Sequence, residues 1–121
     1  MLIFSIFLII IIAAPFANFA NASTLNIQDI PTKKVHVGDK DIAYKTFGKG
    51  DPILLISGYS FARDGWDSTL LETLASNHTV IVFDNRGIGN TTSGSEQKFS
   101  ISLFANDTAG LLEALNCLIF L

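Results

Sequence analysis

Thr79-Val80-Ile81-Val82-Phe83 is an apolar run without alternation, and it leads directly into the glycine-containing segment Asp84-Asn85-Arg86-Gly87-Ile88-Gly89-Asn90-Thr91. A second continuous run, Ile53-Leu54-Leu55-Ile56, leads in the same way into Ser57-Gly58-Tyr59-Ser60. Short unbroken runs rich in Val and Ile are typical of strands that are covered on both faces, as in a parallel sheet. These two runs therefore predict neighbouring parallel strands.

The segment between the two runs predicts a helix over residues 66–76, because Trp66, Leu70 and Leu74 recur at helical spacing. Strand, helix and strand together form a βαβ unit. Upstream, two alternating runs flank Gly38-Asp39, which predicts an antiparallel hairpin. Downstream, Ser100 is expected to cap a helix that continues to Leu115. The predicted fold class is α/β, with an N-terminal hairpin followed by a βαβα unit.

The first 28 residues carry no charged side chain. The apolar run from Leu2 is followed by Ala20-Asn21-Ala22, which is the pattern of a secretory signal peptide cleaved after Ala22. Neither Lys nor Arg precedes the run, and residues 2–20 come close to the ~20 apolar residues that cross a bilayer, so a membrane anchor is the alternative. We interpret residues 1–22 as signal or anchor, 23–32 as a linker and 33–121 as the folded domain.

Composition narrows the function classes for these 121 residues. The net charge is −3 and the sequence contains no basic patch, so no nucleic acid partner is expected. The single cysteine, Cys117, excludes an internal disulfide. It follows a predicted helix C-terminus, which disfavours a thiolate nucleophile. The expected location is exported, extracellular or periplasmic, with membrane anchorage as the alternative.

Ligands of open α/β sheets bind beyond the carboxyl ends of the strands, where Ser57–Ser60 and the 84–91 loop are expected. Glycine at a strand end permits a sharp turn and leaves amide N–H groups accessible to a developing oxyanion. A plain structural turn is the alternative. In the loop, Asp84 and Arg86 could pair across the turn. A dinucleotide site at Gly87-x-Gly89 is disfavoured because Thr92 occupies the third glycine position.

This order of segments resembles the N-terminal part of the α/β-hydrolase superfamily, and most of all its esterase and lactonase branch. The resemblance covers residues 33–116 and implies a truncated α/β-hydrolase fold. It further implies that the backbone N–H of Tyr59 belongs to an oxyanion hole and that the neighbouring turn residues, Ser57, Gly58 and Ser60, line a binding site. Ser57 replaces the histidine that is usual in the family. Four loop residues have structural roles by the same resemblance: Asp84, Arg86, Gly87 and Gly89. No cofactor or metal is implied.

The G-x-S-x-G turn that carries the nucleophile of this fold does not occur in the sequence. Ser57 and Ser60 lack an evident base, and His36 and His78 are interpreted as ordinary exposed histidines. We therefore expect a fragment of an exported hydrolase that is inactive alone and acts on a small-molecule substrate only when completed. The alternatives are one half of a split hydrolase with a complementary C-terminal chain, and a non-catalytic exported or membrane-anchored binding module.

Overall fold

The computed structural model of the chain describes residues 25–96 and 98–117. The predicted signal or anchor at 1–22 lies outside these residues. Among the helices that the structure describes, none combines the length and apolar character that crossing a membrane requires.

One sheet organises the described part of the chain. Its strands are β1 (Lys33–Val37), β2 (Lys40–Gly48), β3 (Asp51–Leu55) and β4 (His78–Phe83). They lie in the order β1-β2-β4-β3, with β1 antiparallel to β2, β2 antiparallel to β4, and β3 parallel to β4. The predicted hairpin and the predicted parallel pair are both confirmed.

Two helices complete the predicted βαβα unit. Helix α1 (Ser68–Ala75) connects β3 to β4, and the Asp67 side chain caps it by accepting a hydrogen bond from the backbone of Leu70. Helix α2 (Ile101–Ala114) begins at the predicted cap, because the Ser100 hydroxyl accepts from the Leu103 N–H at 3.1 Å. Satisfied N-terminal N–H groups fix where each helix begins.

Strand β4 divides the core between its two faces. Val80 and Val82 pack with Leu71 of α1, whereas Phe83 packs with Ile42 and Leu111 of α2. Successive strand side chains point to opposite faces, so one strand lies between two apolar clusters, and the helices cover opposite sides of the sheet. This arrangement explains why the run of residues 79–83 shows no alternation.

The segment interpreted as a linker contributes to this core. Residues Ile27–Asp29 form a 3-10 turn, and the Ile27 side chain is buried against the α1 side of the sheet. The Ile27 carbonyl also accepts a hydrogen bond from the buried ammonium of Lys45 at 2.7 Å. A backbone carbonyl and an apolar side chain together hold this turn on the sheet.

A buried ion network joins the loop after β4 to helix α2 and to the hairpin turn. Arg86 donates two hydrogen bonds to the Asp107 carboxylate, at 2.9 and 2.8 Å, and one to Asp39 at 3.1 Å. The ammonium of Lys40 lies 2.7 Å from Asp107 as well. The charges alternate in sign, so each buried charge has an opposite partner. The guanidinium–carboxylate pair raises the pKa of Arg86 further above its usual value.

Asp39 lies at the outer side of this network. The Ser95 backbone N–H donates to its carboxylate and is the main cause that holds the pKa of Asp39 well below its usual range, with the Arg86 guanidinium as the next cause. A lowered pKa in the folded state stabilises the fold above the unfolded-state pKa of about 3.9. That contribution declines as the pH falls from there towards the folded-state value.

Replacing Asp107 by Asn removes the carboxylate that Arg86 and Lys40 share. We expect Asp107→Asn to lower the free energy of unfolding by roughly 3–5 kcal/mol, because the buried Arg86 and Lys40 then share the partly exposed Asp39 as a counterion. The matched control is Glu113→Gln, which removes an exposed carboxylate from the same helix. The control is expected to change stability by no more than about 0.5 kcal/mol. Urea denaturation measures both, and equal effects would contradict the role given to Asp107.

Candidate active site

The two segments predicted to meet at the carboxyl ends of β3 and β4 do lie together. Strand β3 ends at Leu55, shortly before Ser57, and β4 ends at Phe83, directly before Asp84. The side-chain amide of Asn85 donates a hydrogen bond to the Ser57 carbonyl oxygen at 3.1 Å, and this bond is buried. The parallel pairing of β3 and β4 therefore places the turn and the loop at one end of the sheet.

The turn after β3 holds the Tyr59 amide in a defined orientation. The Gly58 carbonyl accepts a hydrogen bond from the Phe61 N–H at 3.1 Å, which closes a turn over residues 58–61. A trans peptide is planar, so the Tyr59 N–H points away from the Gly58 carbonyl and hence away from the interior of the turn. Within residues 25–96 and 98–117, the Tyr59 N–H donates no hydrogen bond. This orientation is compatible with the predicted role of the Tyr59 N–H as an oxyanion-hole donor. That role stays a prediction.

An open pocket of about 710 Å³ lies beside this turn. Ser57, Tyr59 and Asn85 contribute to its wall on the sheet side. Ile101 and Phe104 from the start of α2 also line the pocket, and the Phe104 ring packs against the Tyr59 ring with centroids 5.8 Å apart. A pocket with aromatic walls and a few polar groups is the usual form of a small-molecule site.

The predicted turn residues differ in how they relate to this pocket. Ser57 is buried, and within the described part of the chain its hydroxyl oxygen has no hydrogen-bond partner. Gly58 and Ser60 are exposed and are not among the residues that line the pocket. A buried hydroxyl without a partner costs about 1–3 kcal/mol, so the surroundings of Ser57 favour a ligand or water that can bond to it.

Asp84 is fully buried at the end of β4, and its carboxylate binds residues of two different segments. Its carboxylate accepts hydrogen bonds from the Arg63 backbone N–H at 2.7 Å and from the Asn90 N–H at 3.0 Å, and it pairs with the Arg63 guanidinium. Arg63 lies in a 3-10 turn, Arg63–Gly65, between the turn over residues 58–61 and α1. The interpretation that Asp84 and Arg86 pair is therefore wrong. Arg86 pairs instead with Asp107 on α2, and Asp84 pairs with Arg63 in the 3-10 turn.

Gly87 and Gly89 both have positive φ angles, of 73° and 52°. A Cβ atom at Gly89 would overlap the Asp84 carboxylate, and one at Gly87 would lie 3.1 Å from the Phe99 ring. Glycine is the residue that adopts such angles without strain and leaves room for a close neighbour. Gly89 therefore lets the loop close around Asp84, and Gly87 lets it approach Phe99.

The histidines are remote from the pocket. His78 begins β4, whereas the pocket lies beyond the other end of that strand, roughly 16 Å away at about 3.3 Å per residue. His36 lies in β1, the edge strand on the far side of the sheet, and pairs with Asp41 at 2.8 Å. Neither lines the pocket. The described residues therefore give Ser57 and Ser60 no histidine base.

Sequence reasoning missed Asn85, Arg63 and Asp107. Asn85 lies inside the quoted loop, but its residue type alone does not show which carbonyl it binds. Arg63 lies in a stretch without periodicity, and Asp107 is on a helix that reads as amphipathic with a polar outer face. Only the fold brings each of these side chains to its partner.

The comparisons with known proteins agree with this geometry. No family model matches the chain. The chain is 41% identical over 49 residues to a non-heme haloperoxidase from Rhodococcus erythropolis, covering 40% of this chain and 18% of that protein. It is 30% identical over 76 residues to a non-heme chloroperoxidase from Kitasatospora aureofaciens, covering 63% of this chain and 27% of that one.

Among solved structures, an alpha/beta hydrolase from Sphaerobacter thermophilus matches with a TM-score of 0.58 and 31% identity. The match covers 68% of this chain and 31% of the hydrolase. The chain spans only 27% to 29% of the length of the first curated relatives it matches. The resemblance to the N-terminal part of the α/β-hydrolase superfamily is confirmed, and the described residues have the corresponding part of that fold.

Replacing Gly89 by Ala tests the closure of the loop around Asp84. We expect Gly89→Ala to destabilise the fold by more than the 1–2 kcal/mol that a positive φ angle costs, because the new methyl group also overlaps the carboxylate. The matched control is Gly38→Ala, where φ is 61° but a Cβ atom would lie at an ordinary 3.6 Å from the flexible end of Lys40. Urea denaturation gives both values, and an equal loss at the two glycines would refute the close approach at Gly89.

Proposed function

We propose that this chain supplies the oxyanion-side wall of an α/β-hydrolase active site that acts on an ester, lactone or carbon–carbon bond of a small molecule. One observation carries the proposal: the Tyr59 N–H, oriented by the Phe61–Gly58 hydrogen bond, has no partner in the described residues, and Tyr59 lines the pocket. Preorganised N–H groups of this kind stabilise the negative charge that develops on oxygen during acyl transfer. Hydrolases and haloperoxidases among the relatives support the class and leave the substrate open.

The proposal also implies that the chain has no hydrolase activity when it is alone. Acyl transfer on this fold needs a serine nucleophile, a histidine base and an acid that orients the base. The sequence has no G-x-S-x-G turn, and its two histidines are remote from the pocket. The oxyanion wall can accelerate a reaction only where another polypeptide segment supplies the nucleophile and the base.

The partner that we propose is a complementary C-terminal hydrolase chain. In the described sheet, β3 pairs with β4 on one side and leaves its other edge unpaired. An apolar groove of about 390 Å³ lies between α2 and Ile56, the residue that directly follows β3, with Phe104 and Leu112 also in its wall. Ile56 and Ile101 are exposed there, at 60% and 87%. An unpaired strand edge beside an apolar face is suited to an added strand and helix.

Export also belongs to the proposal. The uncharged, apolar residues 2–20 and the Ala20-Asn21-Ala22 site favour a cleaved signal peptide, with a membrane anchor as the alternative. A fragment carrying this leader would meet its partner outside the cytoplasm.

The test is a chimera in which residues 33–117 replace the equivalent segment of the Sphaerobacter thermophilus hydrolase. We expect the chimera to retain turnover of the ester that the parent enzyme cleaves best in a nitrophenyl ester panel. Tyr59→Pro in the chimera removes the N–H and should lower kcat roughly 10²–10³-fold. Tyr59→Ala removes only the side chain, keeps the N–H and should retain most of kcat.

Two results would refute the proposal. A folded chimera that turns over ester equally well with Pro or Tyr at position 59 would show that this N–H is not the oxyanion donor. Ester turnover by the 121-residue chain alone, abolished by a serine-directed phosphonate, would show that the chain carries its own nucleophile.

A further inference from the structure

Asn85 connects the loop after β4 to the turn after β3 at the edge of the pocket. Its side chain is 5% exposed, and its amide donates to the Ser57 carbonyl in a buried hydrogen bond of 3.1 Å. Ser57 is itself buried, with 7% exposed. Both residues line the pocket next to Tyr59. Asn85 is thus bonded to the peptide group that immediately precedes the Gly58–Tyr59 peptide.

Gly58 is open on the side where a Cβ atom would lie. A Cβ atom built at Gly58 would meet no atom within 4 Å, so no neighbouring side chain or backbone confines this residue on that side. Glycine also has the widest range of accessible backbone angles. No contact on that side orients the two peptide groups around Gly58, so the hydrogen bonds of their carbonyls contribute to their orientation.

Two hydrogen bonds supply that orientation. Asn85 fixes the carbonyl of the Ser57–Gly58 peptide, and the Phe61 N–H fixes the carbonyl of the Gly58–Tyr59 peptide. Because each peptide is planar, fixing two successive carbonyls sets the direction of the Tyr59 N–H. Loss of either bond would leave the flexible Gly58 free to rotate this N–H away from the pocket.

We infer that Asn85 is a positioning residue, which holds the Tyr59 N–H in the direction that binds an oxyanion. This inference rests on the proposed function, and it deepens it by naming the side chain that preorganises the donor. The role requires a hydrogen-bond donor, which the amide of Asn85 provides. An apolar side chain of similar shape would fill the same space without fixing the Ser57 carbonyl.

The experiment titrates the ¹³C,¹⁵N-labelled 121-residue chain with butanoate, a carboxylate that can accept a hydrogen bond from the Tyr59 N–H. The amide shift of Tyr59 gives the dissociation constant, and butanol, which lacks the carboxylate, is the probe control. We expect Asn85→Leu, which is neutral and close to Asn in shape, to weaken butanoate binding about tenfold, the usual worth of a hydrogen bond to a charged group. Asn85→Ala should weaken it similarly.

The matched control variant is Asn77→Leu, the same exchange at an exposed position near the opposite end of β4. It should bind butanoate like the unmodified chain. Urea denaturation checks that each variant unfolds cooperatively, and the Ser57 carbonyl ¹³C shift should move in the Asn85 variants alone. If one of the two Asn85 variants does not fold, the other carries the comparison.

The outcomes separate the inference from the proposed function. If butanoate shifts the Tyr59 amide and a folded Asn85 variant binds it equally well, Asn85 does not position the donor, and the oxyanion wall stands. If butanoate leaves the Tyr59 amide of the unmodified chain unmoved, or butanol moves it equally, the proposed oxyanion wall fails and the inference fails with it.

Discussion

The buried Asp84 carboxylate is the interaction on which the end of the sheet depends. It accepts hydrogen bonds from the backbone N–H groups of Arg63 and Asn90, and it pairs with the Arg63 guanidinium. A carboxylate with no exposure would be costly without such partners, and together they join the 3-10 turn before α1 to the loop after β4. The next residue, Asn85, lines the pocket, so this side chain holds in place a loop that contributes to the pocket wall.

A second group of charges anchors the same loop on its other side. Arg86 binds Asp107 on α2 and Asp39 in the hairpin turn, so residues distant in sequence meet around one guanidinium. Asp84 and Arg86 thus tie one short loop to both layers of helices. With the loop fixed on two sides, Asn85 between them is held where its amide reaches the Ser57 carbonyl.

Much of this fold follows from the sequence, because hydrophobic periodicity reports local burial. The hairpin, the parallel pair and α2 with its Ser100 cap are confirmed, whereas α1 begins at Ser68, after Trp66. The candidate site was less predictable. Its position at the strand ends follows from the topology, but the partners of Asp84 and Arg86 do not, since each ion pair spans 21 residues or more. Periodicity carries no information on which charged residues meet at such separations.

The central claim is that the Asp84 carboxylate holds the strand-end segments together. Hydrogen exchange of the Arg63–Gly65 and Asn90 amides, compared between the unmodified chain and Asp84→Asn, tests it most directly. Asp51→Asn is the control, because it removes an exposed carboxylate from the opposite end of β3. The account predicts that Asp84→Asn accelerates exchange in both segments and lowers the free energy of unfolding by roughly 3–5 kcal/mol. Unchanged exchange in both segments, with unchanged stability, would contradict it.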